Sequence, residues 1–319
     1  MRYNLNHGYG RAQMNLPFLG TGKIFVVGDS GTANLSMLNE MFTTDHDGQP
    51  RVHSTIDAAV GFCTANAGDV IYVMPGHTET ITGAGGIDLD VAGISVIGLG
   101  NGRNRPTINF TTGTGADIDF DAANITVENI FFDLTGIDAL AAPIDVNASD
   151  ATIRNCEFLT ADSDGQATLG ILTDANADRL TVDNCKFLSD SSVGTTAAIR
   201  IIGGDGHVIS NNTIYGDFDT TGACIENLTT ATTNLTVSNN NLWNRHTGSI
   251  VCINAVSTST GNINYNLLRM ELNGISGGIT DTGTGASNFS LFENYYVNLD
   301  GEAGGLCLGG GGTAVSSTA

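Results

Sequence analysis

Basic side chains are scarce in this chain: 12 Lys and Arg stand against 33 Asp and Glu, which gives a formal net charge of −21. A strongly acidic surface repels phosphates, so we do not expect nucleic acid as a partner. Long apolar runs are also missing. No segment approaches the roughly 18 apolar residues that cross a bilayer, so we expect no contact with a membrane.

Zinc-type spacings of Cys and His are absent as well. Because residues 1–8 lack the apolar stretch of a secretory signal, we expect synthesis in a reducing cytoplasm and reduced thiols that pack as small apolar groups. A disulfide between Cys156 and Cys185 is the alternative, since each follows an Asn of the repeat described next. The six cysteines are at positions 63, 156, 185, 224, 252 and 307.

One pattern does recur: an aliphatic residue, a spacer, Asn, two spacers and an apolar residue. The Asn slots are Asn129, Asn155, Asn184, Asn211, Asn239 and Asn294, with Tyr265 in a degenerate copy. Successive slots are 26, 29, 27, 28, 26 and 29 residues apart. A fixed period of about 20 to 50 residues indicates a solenoid, in which each unit stacks on its neighbours.

The segments between the slots favour strands over helices. They hold short alternating apolar stretches such as Ile118–Phe120 and Ile144–Val146, separated by Gly, Asn, Asp, Ser and Thr. About 27 residues per repeat leave no room for a crossover helix, so the pattern predicts an all-β parallel β-helix. Asn tolerates the left-handed conformation of a sharp turn, and stacked amides can hydrogen-bond, so we interpret the Asn slots as a structural ladder.

The entry into the repeats shows a family resemblance. Residues 54–63 predict a short amphipathic capping helix, and Gly68–Gly76 reads GDVIYVMPG, a buried strand and a turn. Together with the Asn pattern, this resembles the pectate-lyase-like right-handed parallel β-helix superfamily. The resemblance covers residues 54 to about 310. It implies the fold but does not specify a function, because this fold occurs in proteins of many functions. We therefore expect an N-terminal arm at residues 1–50 and a β-helix domain at residues 51–319.

Catalysis has weak candidates. Asp117, Asp119 and Asp121 alternate along one predicted strand and so share a face, as do Asp88 and Asp90. The first three are the candidate calcium ligands, although a solvated strand face is the simpler interpretation. The signatures of polygalacturonases are missing, and the segment around His207 does not match them. We therefore assign no catalytic residue, no metal and no cofactor. The aromatic residues available for stacking on a sugar are Trp243, Tyr215, Tyr295 and Tyr296.

Charge is distributed unevenly between the arm and the rest. Residues 1–28 contain three basic residues and no acidic one, whereas the remaining residues carry −24. The basic segment, residues 1–28, also contains aromatic side chains. Two interpretations remain open: a frayed terminus, or an arm that docks on an acidic partner. The candidate contact residues of a docking arm are Arg2, Tyr3, Tyr9, Arg11, Phe18 and Lys23.

This combination resembles bacteriophage virion proteins, which use β-helices as homotrimeric tailspikes or capsid decoration (cement) proteins. The short arm favours a non-enzymatic decoration protein on the capsid surface, bound to the major capsid protein or another virion protein. A tailspike or receptor-binding protein that binds or cleaves a glycan, by lyase or hydrolase chemistry, is the alternative, and a bacterial adhesin is a third. The uncharged segments 228–237 and 255–262 are candidate trimer contacts, unless they are simple polar loops.

Overall fold

The computed structural model of the chain describes residues 22–28, 44, 48–160, 167–189, 195–218, 222–246, 251–256, 258–270, 278–281, 288–298 and 305–307. Within these residues, β-strands joined by turns account for nearly all regular secondary structure, and the exceptions are a short helix, α1 (Ile56–Val60), and a 3-10 turn at Gly102–Asn104. Thr55 caps α1, because its hydroxyl accepts a hydrogen bond from the Ala58 N–H at 3.2 Å.

The described strands form three sheets, whose strands lie in the following spatial order. Sheet 1 contains Val52–His53, Ile24–Val27, Val70–Val73, Ser95–Gly98, Thr126–Glu128, Thr152–Arg154, Thr181–Asp183, Val208–Ser210, Leu235–Ser238, Thr260–Asn264 and Asn288–Phe292. Sheet 2 contains Thr78–Ile81, Thr107–Phe110, Phe131–Asp133, Glu157–Thr160, Lys186–Ser189, Thr213–Gly216, Asn241–Asn244, Leu267–Met270, Asn294–Asn298 and Gly305–Cys307. Sheet 3 contains Ile87–Asp88, Ile118–Phe120, Ile144–Val146, Leu169–Thr173, Ala197–Ile201, Ala223–Asn227, Val251–Ala255 and Gly278–Asp281.

Each coil contributes one strand to each sheet in the order 1, 2, 3, and the chain then returns to sheet 1 one strand further along. Thr152–Arg154, for example, pairs in parallel with Thr126–Glu128 before it and Thr181–Asp183 after it. Among the described residues, pairing is parallel except between Asn294–Asn298 and Gly305–Cys307 and at an isolated bridge from Thr44 to Pro50. The prediction of a parallel β-helix is confirmed.

The start of the solenoid includes part of the expected arm. Ile24–Val27 pairs in parallel with Val70–Val73, and its side chains Phe25 and Val27 are buried in the main core. The described residues 22–28 therefore belong to the β-helix, although they lie before residue 50. Helix α1 buries Ile56, Ala59 and Val60 against the same end of the core. It is shorter than the helix predicted over residues 54–63.

The core consists of inward columns, each formed by the same position in successive coils. On sheet 2, Phe132, Phe158 and Phe187 pair in register and are buried. Their ring centroids are 4.7 Å and 4.4 Å apart, and the planes of the last two differ by only 6°. Phe158 and Phe187 therefore form an inward stack, one coil apart.

The turn from sheet 1 into sheet 2 places one left-handed residue in every coil. Values of φ between 47° and 59° occur at Asn129, Asn155, Asn184, Asn211, Asn239, Tyr265 and Glu293. The last copy corrects the expected ladder, because Glu293 rather than Asn294 occupies this slot. Ile263 pairs with Leu291, so the final repeat is shifted by one residue from the pattern read in the sequence.

Amide stacking within this outer column is limited. Asn184 Nδ2 donates to Asn155 Oδ1 at 2.7 Å, but the Asn155 amide donates to Glu128 at 2.8 Å. The Asn211 amide donates to Asp183 at 2.7 Å. The left-handed backbone, rather than a continuous chain of amides, is the feature that the outer asparagines share.

A continuous amide ladder lies one residue further along, inside the solenoid. It consists of Asn212, Asn240, Asn266 and Asn294, each no more than 2% exposed. The side-chain N–H groups of the first three donate to the next Asn Oδ1 at 2.9–3.0 Å and to a carbonyl of the preceding coil at 2.9–3.0 Å. Each Oδ1 also accepts a backbone N–H, as in Asn212 N to Asn240 Oδ1 at 2.9 Å. The buried amides are therefore fully hydrogen-bonded.

Cysteines occupy the same inner position in two earlier coils. Cys156 and Cys185 are buried free thiols, and the backbone N–H of Cys185 donates to Asn212 Oδ1 at 2.8 Å. Cys224 and Cys252 are also buried and free, whereas Cys63 is half-buried. Burial raises the pKa of the Cys63 thiol to about 12, and nearby Asp69 acts in the same direction. The Cys63 thiol therefore has little thiolate character, and the four buried thiols serve as small packing groups.

Candidate functional site

Outward side chains of one coil lie directly over those of the next, and ion pairs exploit this arrangement. The pairs join Arg154 to Glu128, Arg179 to Asp150, Lys186 to Glu157 and Arg200 to Glu226, with N–O distances of 2.6–3.4 Å. The partners are 26 or 29 residues apart, which is one coil. Glu226 is fully buried, whereas the other three pairs are partly exposed and contribute little stability individually. All four cations bind carboxylates of the rod itself.

An acidic column runs along the outward face of sheet 3. It consists of Asp88, Asp119 and Asp145, which pair in register on consecutive strands. Neighbouring strands are about 4.8 Å apart, so carboxylates of the same charge are stacked at close range. Asp117 and Asp121 flank Asp119 on the same face. Asp117 accepts the Gly85 N–H at 2.6 Å, and Asp121 accepts the Asn147 amide at 2.9 Å.

The acidic column resists ionisation. Burial raises the pKa of Asp119 to about 6, and repulsion from Asp117 and Asp121 acts in the same direction. Burial is also the main cause that raises the pKa values of Asp88 and Asp145. Raised carboxyl pKa values occur in acid–base sites and in structural clusters of like charge, so the surrounding geometry has to decide between them.

The geometry does not favour a metal. Within the part of the chain that the structure describes, no group of three or more His, Cys, Asp and Glu side chains is arranged to hold a metal ion. Alternate residues of a strand are about 6.6 Å apart and project side by side, whereas calcium needs oxygens that converge to about 2.5 Å from one point. Asp117, Asp119 and Asp121, the candidate calcium ligands, project in this divergent way.

A second cluster lies on the outward face of sheet 2, and we call it the aromatic–arginine surface: Tyr215, Trp243, Arg245 and Arg269. Tyr215 and Trp243 pair on adjacent strands, with ring centroids 4.8 Å apart and planes at 85°. The Arg245 guanidinium lies 5.3 Å from the Tyr215 ring centre, and that of Arg269 lies 5.6 Å from the Trp243 ring centre. All four residues are half-buried. These distances are those of cation–π contacts.

Two polar atoms near these rings lack partners within the described residues: Trp243 Nε1, a donor, and Asn241 Oδ1, an acceptor. Asn241 and Trp243 are two positions apart in one strand, so both side chains project from the same face. Below the rings, Leu188 pairs with Tyr215, and Leu159 pairs with Leu188, so an apolar column continues along the axis. Both of these polar atoms are solvent-inaccessible, and Asp217, which follows Tyr215 at strand spacing, places a carboxylate in the same region.

The acidic column and the aromatic–arginine surface are well separated. The first lies on sheet 3 between the strands Ile87–Asp88 and Ile144–Val146. The second lies on sheet 2 from Thr213–Gly216 to Leu267–Met270, later in the solenoid. The acidic column and the aromatic rings of Tyr215 and Trp243 therefore do not line one groove, whereas a polysaccharide-cleaving site needs its paired carboxylates beside the bound sugar.

The remaining aromatic candidates lie elsewhere. Tyr295 is 55% exposed and pairs with Leu267, so it occupies a different outward column from Trp243. Tyr296 is in register with the inward-facing Leu268. Sequence reasoning identified Tyr215 and Trp243 but missed Arg245 and Arg269, although Arg245 follows Trp243 at strand spacing.

Most of the expected docking residues are outside the described residues: Arg2, Tyr3, Tyr9, Arg11 and Phe18. Lys23 is described, and its backbone N–H donates to Asp69 Oδ1, which is fully buried. Lys23 therefore lies where the chain enters sheet 1.

The candidate trimer segments 228–237 and 255–262 stack on each other at the turn from sheet 3 to sheet 1. Part of them is used internally, since Thr232 and Ser259 are fully buried. The Thr232 N–H donates to Ser259 Oγ at 3.1 Å. The exposed residues among the described part of these segments are Thr229, Thr230, Thr233, Asn234, Thr258 and Asn262. Only this exposed part is available for contact with another subunit.

His207 is an interior residue. It is fully buried, its Nδ1 accepts the Leu180 N–H at 3.2 Å, and its Nε2 lies 3.0 Å from the Gly203 carbonyl. Burial lowers its pKa, so the neutral ring with the proton on Nε2 fits both contacts. Both ring nitrogens contact backbone groups in the interior, so this residue is not available for catalysis at the surface.

No helix among the described residues is long and apolar enough to cross a membrane.

No family model matches the chain, and no curated protein matches its sequence. Solved structures do match its fold. The pectin methylesterase from Aspergillus niger has 15% identity and a TM-score of 0.51, over 88% of this chain and 86% of that chain. Escherichia coli YbhC has 13% identity and a TM-score of 0.51, over 93% and 90%.

The ORF18 protein of Geobacillus virus E2 aligns at 16% identity with a TM-score of 0.30, over 83% of this chain and 62% of that chain, and this low score carries no argument. At such identities the matches to solved structures show a shared right-handed parallel β-helix fold. They do not show a shared activity.

Proposed function

We propose that this chain is a non-enzymatic structural protein of a bacteriophage virion, a capsid decoration protein that acts as a homotrimer. In this proposal the rigid solenoid projects from the head, and the part of the arm that precedes residue 22 contacts the major capsid protein or another virion protein. A parallel β-helix suits such a role because its coils stack into a stiff rod without needing a ligand.

The observation that carries this proposal is the contrast in charge along the chain. Residues 1–28 have three basic residues and no acidic one, whereas the remainder carries −24. Several cations of the rod are paired with carboxylates of the neighbouring coil, as Arg154 is with Glu128. The basic arm is therefore the part whose charge is suited to an acidic partner.

The separation of the two surface clusters supports a non-enzymatic role. Within the described residues, the acidic column around Asp119 lies on sheet 3, whereas the rings of Tyr215 and Trp243 lie on sheet 2. A single observation favours the alternative, a polysaccharide-cleaving tailspike: the pKa of Asp119 is raised to about 6, mainly by burial. Purified protein that releases reducing ends or methanol from pectin, and loses this activity in Asp119→Asn, would establish that alternative.

Immunogold labelling of intact phage particles tests the main proposal. Antibody to the solenoid should label heads at many sites per particle, while tails remain unlabelled. Labelling restricted to the tail tip would favour the tailspike, and unlabelled virions from a lysate that contains the protein would exclude a virion role. Sedimentation equilibrium of the purified chain tests the homotrimer separately.

A further inference from the structure

We infer that copies of this chain associate head to tail in solution, and that the basic segment before residue 22 of one copy binds the last described coil of a second copy. The surface that receives this segment is the last-coil corner, which we define as Tyr265, Phe292, Glu293 and Tyr295. The inference concerns the free protein and does not depend on a virion location. On a virion, the capsid and a second copy would compete for the same segment.

Large apolar side chains are concentrated at the last-coil corner. Four such side chains are exposed in the described part of the chain, and three of them, Tyr265, Phe292 and Tyr295, lie at or next to the turn from sheet 1 into sheet 2. They are 49%, 50% and 55% exposed. The rings of Tyr265 and Phe292 touch, with centroids 5.5 Å apart and planes at 85°. A cluster of exposed rings indicates a site of contact with another molecule.

The last described coil is also open on its far side. Ile263 is fully buried, whereas Leu291, its successor in the next coil, is only partly buried. Ile253 and its successor Ile279 differ in the same way. Within the described residues, the strand Asn288–Phe292 has a neighbouring strand on one side only. Its other edge presents backbone N–H and C=O groups that a second polypeptide can pair with, so the partner that fits is a polypeptide.

Charge indicates which polypeptide fits. Residues 270–319 contain five acidic residues and no Lys or Arg, and one of the five, Glu293, lies in the corner itself. Residues 1–21 have the opposite composition, with two arginines, three aromatic residues and no carboxylate. Arginine stacks on exposed aromatic rings and pairs with carboxylates, so this segment complements the corner in both respects. Every further copy of the chain carries such a segment.

Distance favours a second copy over the segment of the same copy. The segment enters the solenoid at Ile24–Val27, which is nine strands before Asn288–Phe292 in sheet 1. Nine strand spacings amount to about 43 Å along the axis. Arg11 is 13 residues before Ile24, and a fully extended chain of that length spans only about 45 Å. Within one copy Arg11 would reach the corner only on a taut chain, whereas a second copy can bring the whole segment to it.

Sedimentation velocity of the full-length protein tests the association. The average sedimentation coefficient should keep rising with protein concentration, because a head-to-tail contact leaves one free end on each side of the assembly. The homotrimer of the proposed function would instead reach a limit at three copies, so the two ideas can fail separately. The double variant Tyr265→Ser with Phe292→Ser should lose this open-ended growth.

A fluorescently labelled peptide of residues 1–21 measures the contact directly by anisotropy. The receptor is the full-length chain with Arg2→Gln and Arg11→Gln, so that its own segment competes little. The wild-type peptide should bind it saturably, and a peptide with the same two substitutions should bind about tenfold more weakly or worse. Adding Glu293→Gln to the receptor should weaken binding about threefold. Asp138→Asn, at an exposed carboxylate elsewhere on the rod, is the matched control and should leave binding unchanged.

Circular dichroism and thermal unfolding of each variant establish that it is folded. Absence of saturable peptide binding would overturn the inference. So would a sedimentation coefficient that does not depend on concentration, which is the result expected if the segment binds within its own copy. Open-ended growth that persists in the Tyr265→Ser, Phe292→Ser variant would place the contact elsewhere on the rod, and the inference would then be wrong.

Discussion

Asparagine serves two physical purposes in this solenoid, in residues that are adjacent in sequence. Outer residues such as Asn184 supply a left-handed turn and are exposed, with φ of 51°. Inner residues such as Asn240 have a buried amide that bonds the coil before and the coil after. The first task depends on the backbone and the second on the side chain, so the two positions should respond differently to substitution.

The inner ladder predicts a large effect for a substitution that keeps volume. Asn240→Leu should lower the free energy of unfolding by about 2–4 kcal/mol, because the Asn212 amide and the Ile209 carbonyl lose their partner inside the core. Urea unfolding followed by circular dichroism measures this change. Asn262→Leu, at an exposed position of sheet 1, is the control and should cost little. Equal costs at the two sites would contradict the ladder's role.

The outer column predicts a dependence on backbone freedom. Asn184→Val should cost about 1–3 kcal/mol, because a β-branched residue is strained at positive φ. Asn184→Gly removes the same amide bond to Asn155 but accepts the left-handed conformation, so it should cost less. Denaturant midpoints of the two variants provide the comparison. A valine variant as stable as the glycine variant would show that strain is not the main factor.

The acidic column predicts an unusual dependence of stability on pH. The pKa of Asp119 is about 6 in the folded protein and has its ordinary, lower value in the unfolded chain. The folded state therefore binds more protons between these values, and this group makes stability fall as pH rises from about 4 to about 6. Asp119→Asn should raise stability at pH 7.5 and leave it nearly unchanged at pH 4. Urea unfolding at both pH values checks this, and an unchanged difference between them in the variant would refute it.

At the scale of elements, columns rather than single strands hold the fold together. Phe187 stacks on Phe158 at 4.4 Å and belongs to a column that crosses several coils. Phe187→Ala should cost about 3–5 kcal/mol through the lost burial and the cavity left behind. Phe187→Leu keeps most of the volume and should cost under about 1.5 kcal/mol. If both variants lose the same stability, the stacked rings and not the filled volume are decisive.

The period of the sequence was sufficient to predict the coils, but not every register. The sequence pattern placed the last repeat one residue too late. Phe292 and Asn294 match that pattern, but in the structure Leu291 and Glu293 occupy the corresponding positions. A second column of residues with a left-handed backbone conformation lies just before the strands of sheet 1. The sequence did not predict it, because its residue types vary: Asn124, Asp150, Arg179, Gly206 and Asn234. The inner ladder left a faint signal, the Asn pairs at 211–212 and 239–240.

The surface clusters were harder to predict than the core. Burial imposes one residue class on an inward column, so Phe132, Phe158 and Phe187 are visible in the sequence. Outward positions accept many residues, and the contact between Trp243 and Arg269 is set by the pairing of strands 26 residues apart. Recognising it requires the exact register, which the period alone gives only to within one or two residues.

At the scale of the whole molecule, the rod and the arm should be separable. The solenoid's described core begins with Phe25 and Val27, so removing residues 2–21 leaves every buried contact described for it in place. We therefore expect the truncated protein to fold, with a circular dichroism spectrum and thermal midpoint close to those of the full chain. In our proposal it should nevertheless fail to attach to virions that lack the protein, because the basic arm supplies the contact.

A double variant, Arg2→Gln with Arg11→Gln, keeps the length of the arm and separates charge from chain length. It should reduce virion occupancy at physiological salt, and raising the salt concentration should weaken wild-type binding in the same direction because exposed charges are screened. Occupancy is measured by quantitative gel analysis of purified particles. Wild-type occupancy of the truncated protein would mean that the acidic rod itself makes the contact, and the search for the docking surface would then move to the exposed threonines of residues 228–237.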